Sequence, residues 1–313
     1  MTGANSGIGK ETARQLVGLD ATVILACRSQ SKAAATCFEL RESHIVNGRP
    51  GLGVAEQLMG GKGVEPMVVD LADSDSIQRF VAEFKRNHDR LDALVNNAAT
   101  IAGSLQHNQD GVELTFATNH AGPVLLTSAL LPLLQRSGTK ERPSRIVNVA
   151  SRLERQGRCD PDFLAGQRQT RPLDPKRGYD PLGHYCDSKL CNMLYTRSLS
   201  SFLDERVTVA AVTPGMVNSG LFRSFPTWYR LLTWPVRALY LRTPAEAAEG
   251  VVWALTAETI VGESGNYYAD GVAVEPSAAA QDDGLAERLC MATTQLLQGG
   301  SCSSAGTPSE DKE

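Results

Sequence analysis

Short apolar runs rich in β-branched residues alternate with longer helical patterns along most of this chain. A parallel strand buried on both faces needs such a continuous apolar run, and the helix between two of them supplies the crossover. The predicted strands are Ala21–Ala26, Pro66–Val69, Ala93–Val95, Arg145–Val149, Val207–Val212 and Ser264–Ala269. The predicted helices are Lys10–Leu19, Ser31–Ser43, Asp75–His88, a long one from about Gly111 to Gln135, Tyr185–Leu203 and Pro244–Ala257. Read as βαβ units, they predict one α/β domain over residues 1–298, built on a doubly wound parallel sheet, with no solenoid-type repeat. Three segments stand outside the alternation. Gly48–Gly63 reads as a mobile surface insertion, 152–184 as a long functional loop with little regular structure, and 299–313 as a disordered tail.

Composition narrows the function. The 313 residues carry 31 basic and 35 acidic side chains, a net charge of −4, which would not draw the chain onto nucleic acid. The seven cysteines, 27, 37, 159, 186, 191, 290 and 302, are odd in number, scattered and without metal-ligand spacing. They read as reduced thiols of an intracellular protein, cytoplasmic or membrane-associated, and no metal site is expected. The longest apolar stretch, 121–134, is interrupted by Thr127, Ser128 and Pro132 and falls short of the ~20 residues of a membrane span. The opening MTGANSGIGK has no apolar core of the secretory type.

That opening is itself informative. Gly3, Gly7 and Gly9, with Asn5, Ser6 and Ile8 between them, run straight into a helical pattern. Glycine permits a tight turn and close backbone approach, so the free N–H groups at the helix start can meet a pyrophosphate. By itself such a loop is equally an ordinary glycine-rich turn. NAD-binding folds carry an acidic residue at the end of the second strand, but here ATVILA leads into Cys27-Arg28-Ser29-Gln30. A guanidinium at Arg28 suits the 2′-phosphate of NADP; the alternative is a solvated turn residue.

Tyr185 and Lys189 are spaced i, i+4 on a predicted helix, which sets phenol and ammonium on one face. A nearby positive charge is the direct way to make a tyrosine a usable acid/base near neutral pH. Ser151 follows the strand RIVNV and would orient a substrate carbonyl, and Asn119 lies mid-helix in FATNH. His184 and His120 read as packing or capping residues, and Cys186 and Cys191 as small core residues.

TGANSGIG, Asn96-Asn97-Ala98-Ala99, Asn119, the Ser151/Tyr185/Lys189 set and Pro214-Gly215 occur in that order, and together they resemble a short-chain dehydrogenase/reductase over nearly the whole chain. The resemblance implies a single-domain Rossmann fold and an NADP-dependent oxidoreductase. It makes Tyr185 the general acid/base, has Lys189 lower its pKa and hold the nicotinamide ribose, sets Ser151 on the carbonyl, and has Asn119 anchor a proton-relay water. It also assigns Asp70 and Leu71 to the adenine side, Asn97 and Ala98 to the cofactor-facing loop, and Pro214, Gly215 and Val217 to the nicotinamide side. RIVNVAS, the 34 positions from Ser151 to Tyr185, HYCDSKLCN, PGMVNSGLFR and SGNYYAD before a charged C-terminal helix are most similar to retinol dehydrogenases. The substrate then implied is a small lipophilic carbonyl or alcohol.

Two other functions stand beside it. NNAA and YCDSKLCNM also resemble protochlorophyllide reductase, a double-bond reductase, but that family has a functional cysteine where Asn96 stands. A non-catalytic dinucleotide-fold protein is the other reading, because the family's central first strand precedes the glycine loop and only Met1 and Thr2 stand there. Its absence predicts a gap of unpaired backbone groups beside the cofactor. Residues 220–243 crowd Trp228, Tyr229, Leu232 and Trp234 among arginines, which reads as a broken substrate lid with peripheral membrane contact as a secondary role. The paired helices common in the family are compatible with a homodimer.

Overall fold

The computed structural model describes residues 1–46, 63–217 and 242–299. The insertion at 48–62, nearly all of the lid at 220–243 and the tail after Gly299 therefore lie outside the described residues. The elements in chain order are α1 (Gly7–Gly18), β1 (Val23–Cys27), α2 (Gln30–Val46), β2 (Val64–Val68), α3 (Ser74–Asn87), β3 (Ala93–Asn96), α4 (Gly122–Ser137), β4 (Ser144–Val149), α5 (Pro161–Gln167), α6 (Pro181–Phe202), β5 (Val207–Thr213), α7 (Pro244–Thr256), β6 (Tyr267–Ala269), β7 (Val272–Ala273) and α8 (Asp283–Gly299). Every predicted strand forms, within a few residues of its expected ends. β4 and β5 are buried at every position, as strands covered on both faces must be.

The strands form a five-stranded sheet in the order β3-β4-β5-β6-β7, parallel except for β7, and a separate parallel pair β1-β2. Between the two lies the start of the chain. The N–H of Thr2 donates to the Val95 carbonyl at 3.0 Å and the N–H of Gly3 to Ala26 at 2.9 Å, while Ala26 donates back to Met1 at 2.9 Å. The Met1 ammonium donates to the Ile24 carbonyl, and burial lowers its pKa to about 6. Met1–Gly3 thus fills the switch-point end of the gap that the sequence predicts, where the glycine loop must be held.

Three predicted segments are corrected. The helix expected from Gly111 to Gln135 is instead a single turn, Leu114–Phe116, then a π-helical turn at Ala117–Ala121, then α4. The helix expected from Tyr185 begins at Pro181. Proline at the first helical position loses no needed N–H, and the Asp180 carboxylate accepts from the Gly183 N–H at 3.0 Å. The 152–184 segment is more ordered than its composition suggests. It holds a 3₁₀ turn at Arg152–Gln156 and α5, whose N-cap Asp160 again precedes a proline.

Candidate active site

α1 begins beneath the glycine loop. Gly3 and Gly7 have φ of 63° and 55°, left-handed values that glycine adopts without strain. A Cβ on Gly9 would stand 2.4 Å from the Gly3 carbonyl oxygen, so only glycine lets the turn close. Ser6, the N-cap of α1, makes no side-chain cap bond, and the first turn has no acidic residue. The first amides of α1 are thereby left for an anion, which suits a pyrophosphate. Thr2 supports the loop. Its hydroxyl accepts from the N–H groups of Asn97 and Ala98 at 3.0 and 3.1 Å, and the Asn97 amide donates to the carbonyls of Thr2 and Gly3. Asn97 therefore shapes the glycine loop, a structural task that the sequence did not show.

Arg28 follows β1 at the edge of this cradle. It is exposed and, among the described residues, has no ion-pair partner. Lys10 and Arg14, by contrast, both pair with Glu39, at 2.6 and 3.1 Å. Asp70 follows β2 and accepts from the Ala72 N–H at 3.0 Å, beside the buried Leu71. Gly215 has a φ of 76°, and Val217 bridges to Arg242 where the description of this loop stops. The glycines and the uncapped helix start fit the pyrophosphate of a nicotinamide dinucleotide.

The catalytic candidates converge at the carboxyl ends of β4 and β5. Ser151, two residues past β4, stands beside the Tyr185 hydroxyl and accepts from the Leu153 N–H at 3.2 Å. Lys189 is 2% exposed, and its Nζ donates to the Val149 carbonyl at 2.8 Å while lying 5.5 Å from the centre of the Tyr185 ring. Burial lowers its pKa to about 8. The Tyr185 phenol is pushed above its ordinary range by burial, with the neighbouring Ser151 hydroxyl pulling it partly back. A phenol held neutral is suited to donating a proton to a carbonyl.

Asn119 sits in the π-helical turn. Its side chain accepts from the Thr100 N–H at 2.8 Å and donates to the Thr100 carbonyl and the Ser188 hydroxyl at 2.9 and 3.0 Å; Ser188 in turn donates to the Tyr185 carbonyl. The side chain thus ties this turn to Thr100 and to the helix that carries Tyr185.

The sequence missed the polar ties around this centre. Asp187, fully buried between Tyr185 and Lys189, accepts from Arg171 Nε and Nη2 at 2.7 and 2.5 Å and from the Arg158 N–H at 2.7 Å. Glu113, also fully buried, accepts from Thr115 and Phe116 N–H groups and from the Tyr179 hydroxyl at 2.7 Å. His184 packs as expected, 3.1 Å from the Thr170 hydroxyl and stacked on Tyr179. His120 bridges Asn192 of α6 and Thr293 of α8, and burial drops its pKa to about 4. Asn96 spends its amide N–H groups on Thr127 and Asn148 inside the fold. No group of three or more potential metal ligands occurs among the described residues, nor any helix long and apolar enough to cross a membrane.

Comparison with known proteins agrees with this arrangement. The model of the short chain dehydrogenase family matches residues 1–159. Human dehydrogenase/reductase SDR family member 13 is 38% identical over 315 residues, covering 100% of this chain and 74% of that protein. Human retinol dehydrogenase 14 is 33% identical over 301 residues, covering 92% and 82%. Among solved structures, an uncharacterised protein from Mycobacterium paratuberculosis superposes with a TM-score of 0.69 at 26% identity, covering 95% of this chain and 91% of its own. A short chain dehydrogenase of Shigella flexneri, complexed with NADP, shares the fold with a TM-score of 0.61 at 22% identity, covering 86% and 94%. Together the matched family model, the identity to these relatives and the ordered Ser151, Tyr185 and Lys189 place the chain: it belongs to the short chain dehydrogenase family.

Proposed function

We propose that this protein is an NADP(H)-dependent oxidoreductase for a lipophilic carbonyl or alcohol of the retinal/retinol class, with Tyr185 as its general acid/base. The observation that carries the proposal is the buried Tyr185, with Ser151 beside its hydroxyl and a Lys189 ammonium, fixed to Val149, 5.5 Å from its ring. The dinucleotide, when bound, supplies or accepts the hydride. In carbonyl reduction, Ser151 polarises the carbonyl oxygen and Tyr185 gives it the proton. Lys189 holds the ribose and restores the phenol's proton, with Asn119 anchoring the relay water. NADP rather than NAD is supported by the free Arg28 and by the lack of an acidic residue at the end of β1. The lipophilic substrate is supported by the aromatic content of 220–243 and by relatives named as retinol dehydrogenases. Peripheral membrane contact through that segment remains part of the proposal. A homodimer through paired helices is likewise part of the proposal.

The test is NADPH consumption against a carbonyl panel. Turnover of isoprenoid aldehydes well above that of small ones supports the proposal, and cofactor binding without turnover of any carbonyl refutes it.

A further inference from the structure

We propose, on the oxidoreductase reading above, that Arg171 is a positioning residue: by gripping Asp180 and Asp187 at once, it fixes the turn of α6 that presents Tyr185 and Lys189. Asp187 lies two residues after Tyr185 and two before Lys189. At about 100° per residue it projects from the side of the helix opposite to both. It is fully buried, and its carboxylate accepts from Arg171 Nε and Nη2 at 2.7 and 2.5 Å and from the Arg158 N–H at 2.7 Å. The third nitrogen of the guanidinium, Nη1, donates to Asp180 at 2.9 Å, and Asp180 caps α6 through the Gly183 N–H. One planar fork therefore braces the helix from its cap to its second turn.

The backbone is shaped to admit this grip. A Cβ on Gly183 would stand 1.9 Å from Arg171 Nη1 and 2.1 Å from Asp180 Oδ2, so any side chain there would push the fork off its carboxylates. A Cβ on Gly157 would lie 2.6 Å from the Cys186 carbonyl oxygen; without one, the chain leading to Arg158 rests directly on α6. Lys189 is anchored separately, through the Val149 carbonyl at 2.8 Å. Without Arg171, the Asp187 carboxylate would keep only the Arg158 N–H as a donor. A buried charge left that way must be hydrated or neutralised, and the bonds that join the helix cap to the second turn are gone. An angular slip of this turn moves the phenol relative to Ser151, while the glycine loop and Arg28 stay where they are.

The experiment compares wild type, Arg171→Ala and Arg171→Lys in single-turnover carbonyl reduction with NADPH saturating. NADPH Kd, circular dichroism and amide hydrogen exchange are read on the same proteins. We expect Arg171→Ala to slow the chemical step about tenfold to a hundredfold with little change in Kd, and the amides from Tyr185 to Lys189 to exchange faster while those of β4 do not. The Arg171 side chain is 18% exposed, so added ethylguanidinium can refill the site and should restore the rate; ethylammonium, which lacks the fork, should not. Arg171→Lys keeps the charge without the fork and should lose rate in the same way. A rate loss that merely tracks the loss of folded protein, a full wild-type rate in both variants, or equal rescue by the two cations overturns the proposal. If the wild type reduces no carbonyl, the oxidoreductase reading fails instead, and exchange decides the clamp: unchanged protection from Tyr185 to Lys189 in Arg171→Ala overturns it.

Discussion

Replacing Lys189 by Met should abolish turnover and yet leave the fold as stable as the wild type, or more so, at neutral pH. The ammonium is buried, and its pKa falls from 10.5 to about 8 through loss of hydration. At roughly 1.4 kcal/mol per pKa unit, holding that charge inside the protein costs about 3 kcal/mol. The hydrogen bond to the Val149 carbonyl, whose loss on substitution costs about 1–3 kcal/mol, offsets most of this. The two effects separate with pH. Below pH 8 both folded and unfolded chains hold the proton, and the cost is present in full. Between pH 8 and 10.5 the unfolded chain binds more protons than the folded one, so wild-type stability gains about 3 kcal/mol as the cost disappears. Lys189→Met has no such gain. Urea unfolding of both proteins at pH 7 and at pH 10 reads the difference directly. Parallel pH dependences for wild type and variant would refute the buried-ammonium account.

His120 gives the corresponding effect in acid. Its folded pKa of about 4 lies below the ordinary 6.5, so the unfolded chain binds the proton first as pH falls and stability drops across that window by about 3 kcal/mol. His120→Gln should flatten this part of the stability profile in urea melts, and an unchanged profile would remove His120 as its cause. Arg28→Asp should reduce NADPH affinity at least tenfold by fluorescence titration while NADH affinity holds or rises, since a charge-assisted phosphate bond contributes ~1.5–3 kcal/mol. Equal binding of both cofactors by the wild type would sink the NADP reading.

What the sequence made legible follows from where the signal was local. Apolar runs such as RIVNV and VTVAAV declare buried parallel strands because nothing else tolerates that much continuous apolar surface. The Ser151, Tyr185 and Lys189 set was legible through its order and spacing, and the structure brings the three together. The starts of α5 and α6 were missed because Asp-Pro reads equally as a turn and as an N-cap followed by a first-position proline. The π-helical turn at Asn119 was hidden because ATNHAGP is compatible with an uninterrupted helix. The pairs Asp187–Arg171 and Glu113–Tyr179 were invisible for another reason: each joins residues from different segments, and only the folded chain reveals that both partners are buried together.

Tyr185→Phe tests the central claim most directly, because it removes one transferable proton and leaves the glycine loop, Lys189 and Arg28 in place. The measurement is single-turnover carbonyl reduction with NADPH bound at saturation, alongside the NADPH Kd of the same protein. The account predicts a loss of about 10²–10⁴ in the rate of the chemical step with the Kd nearly unchanged. A Tyr185→Phe protein that keeps most of the wild-type rate would contradict it.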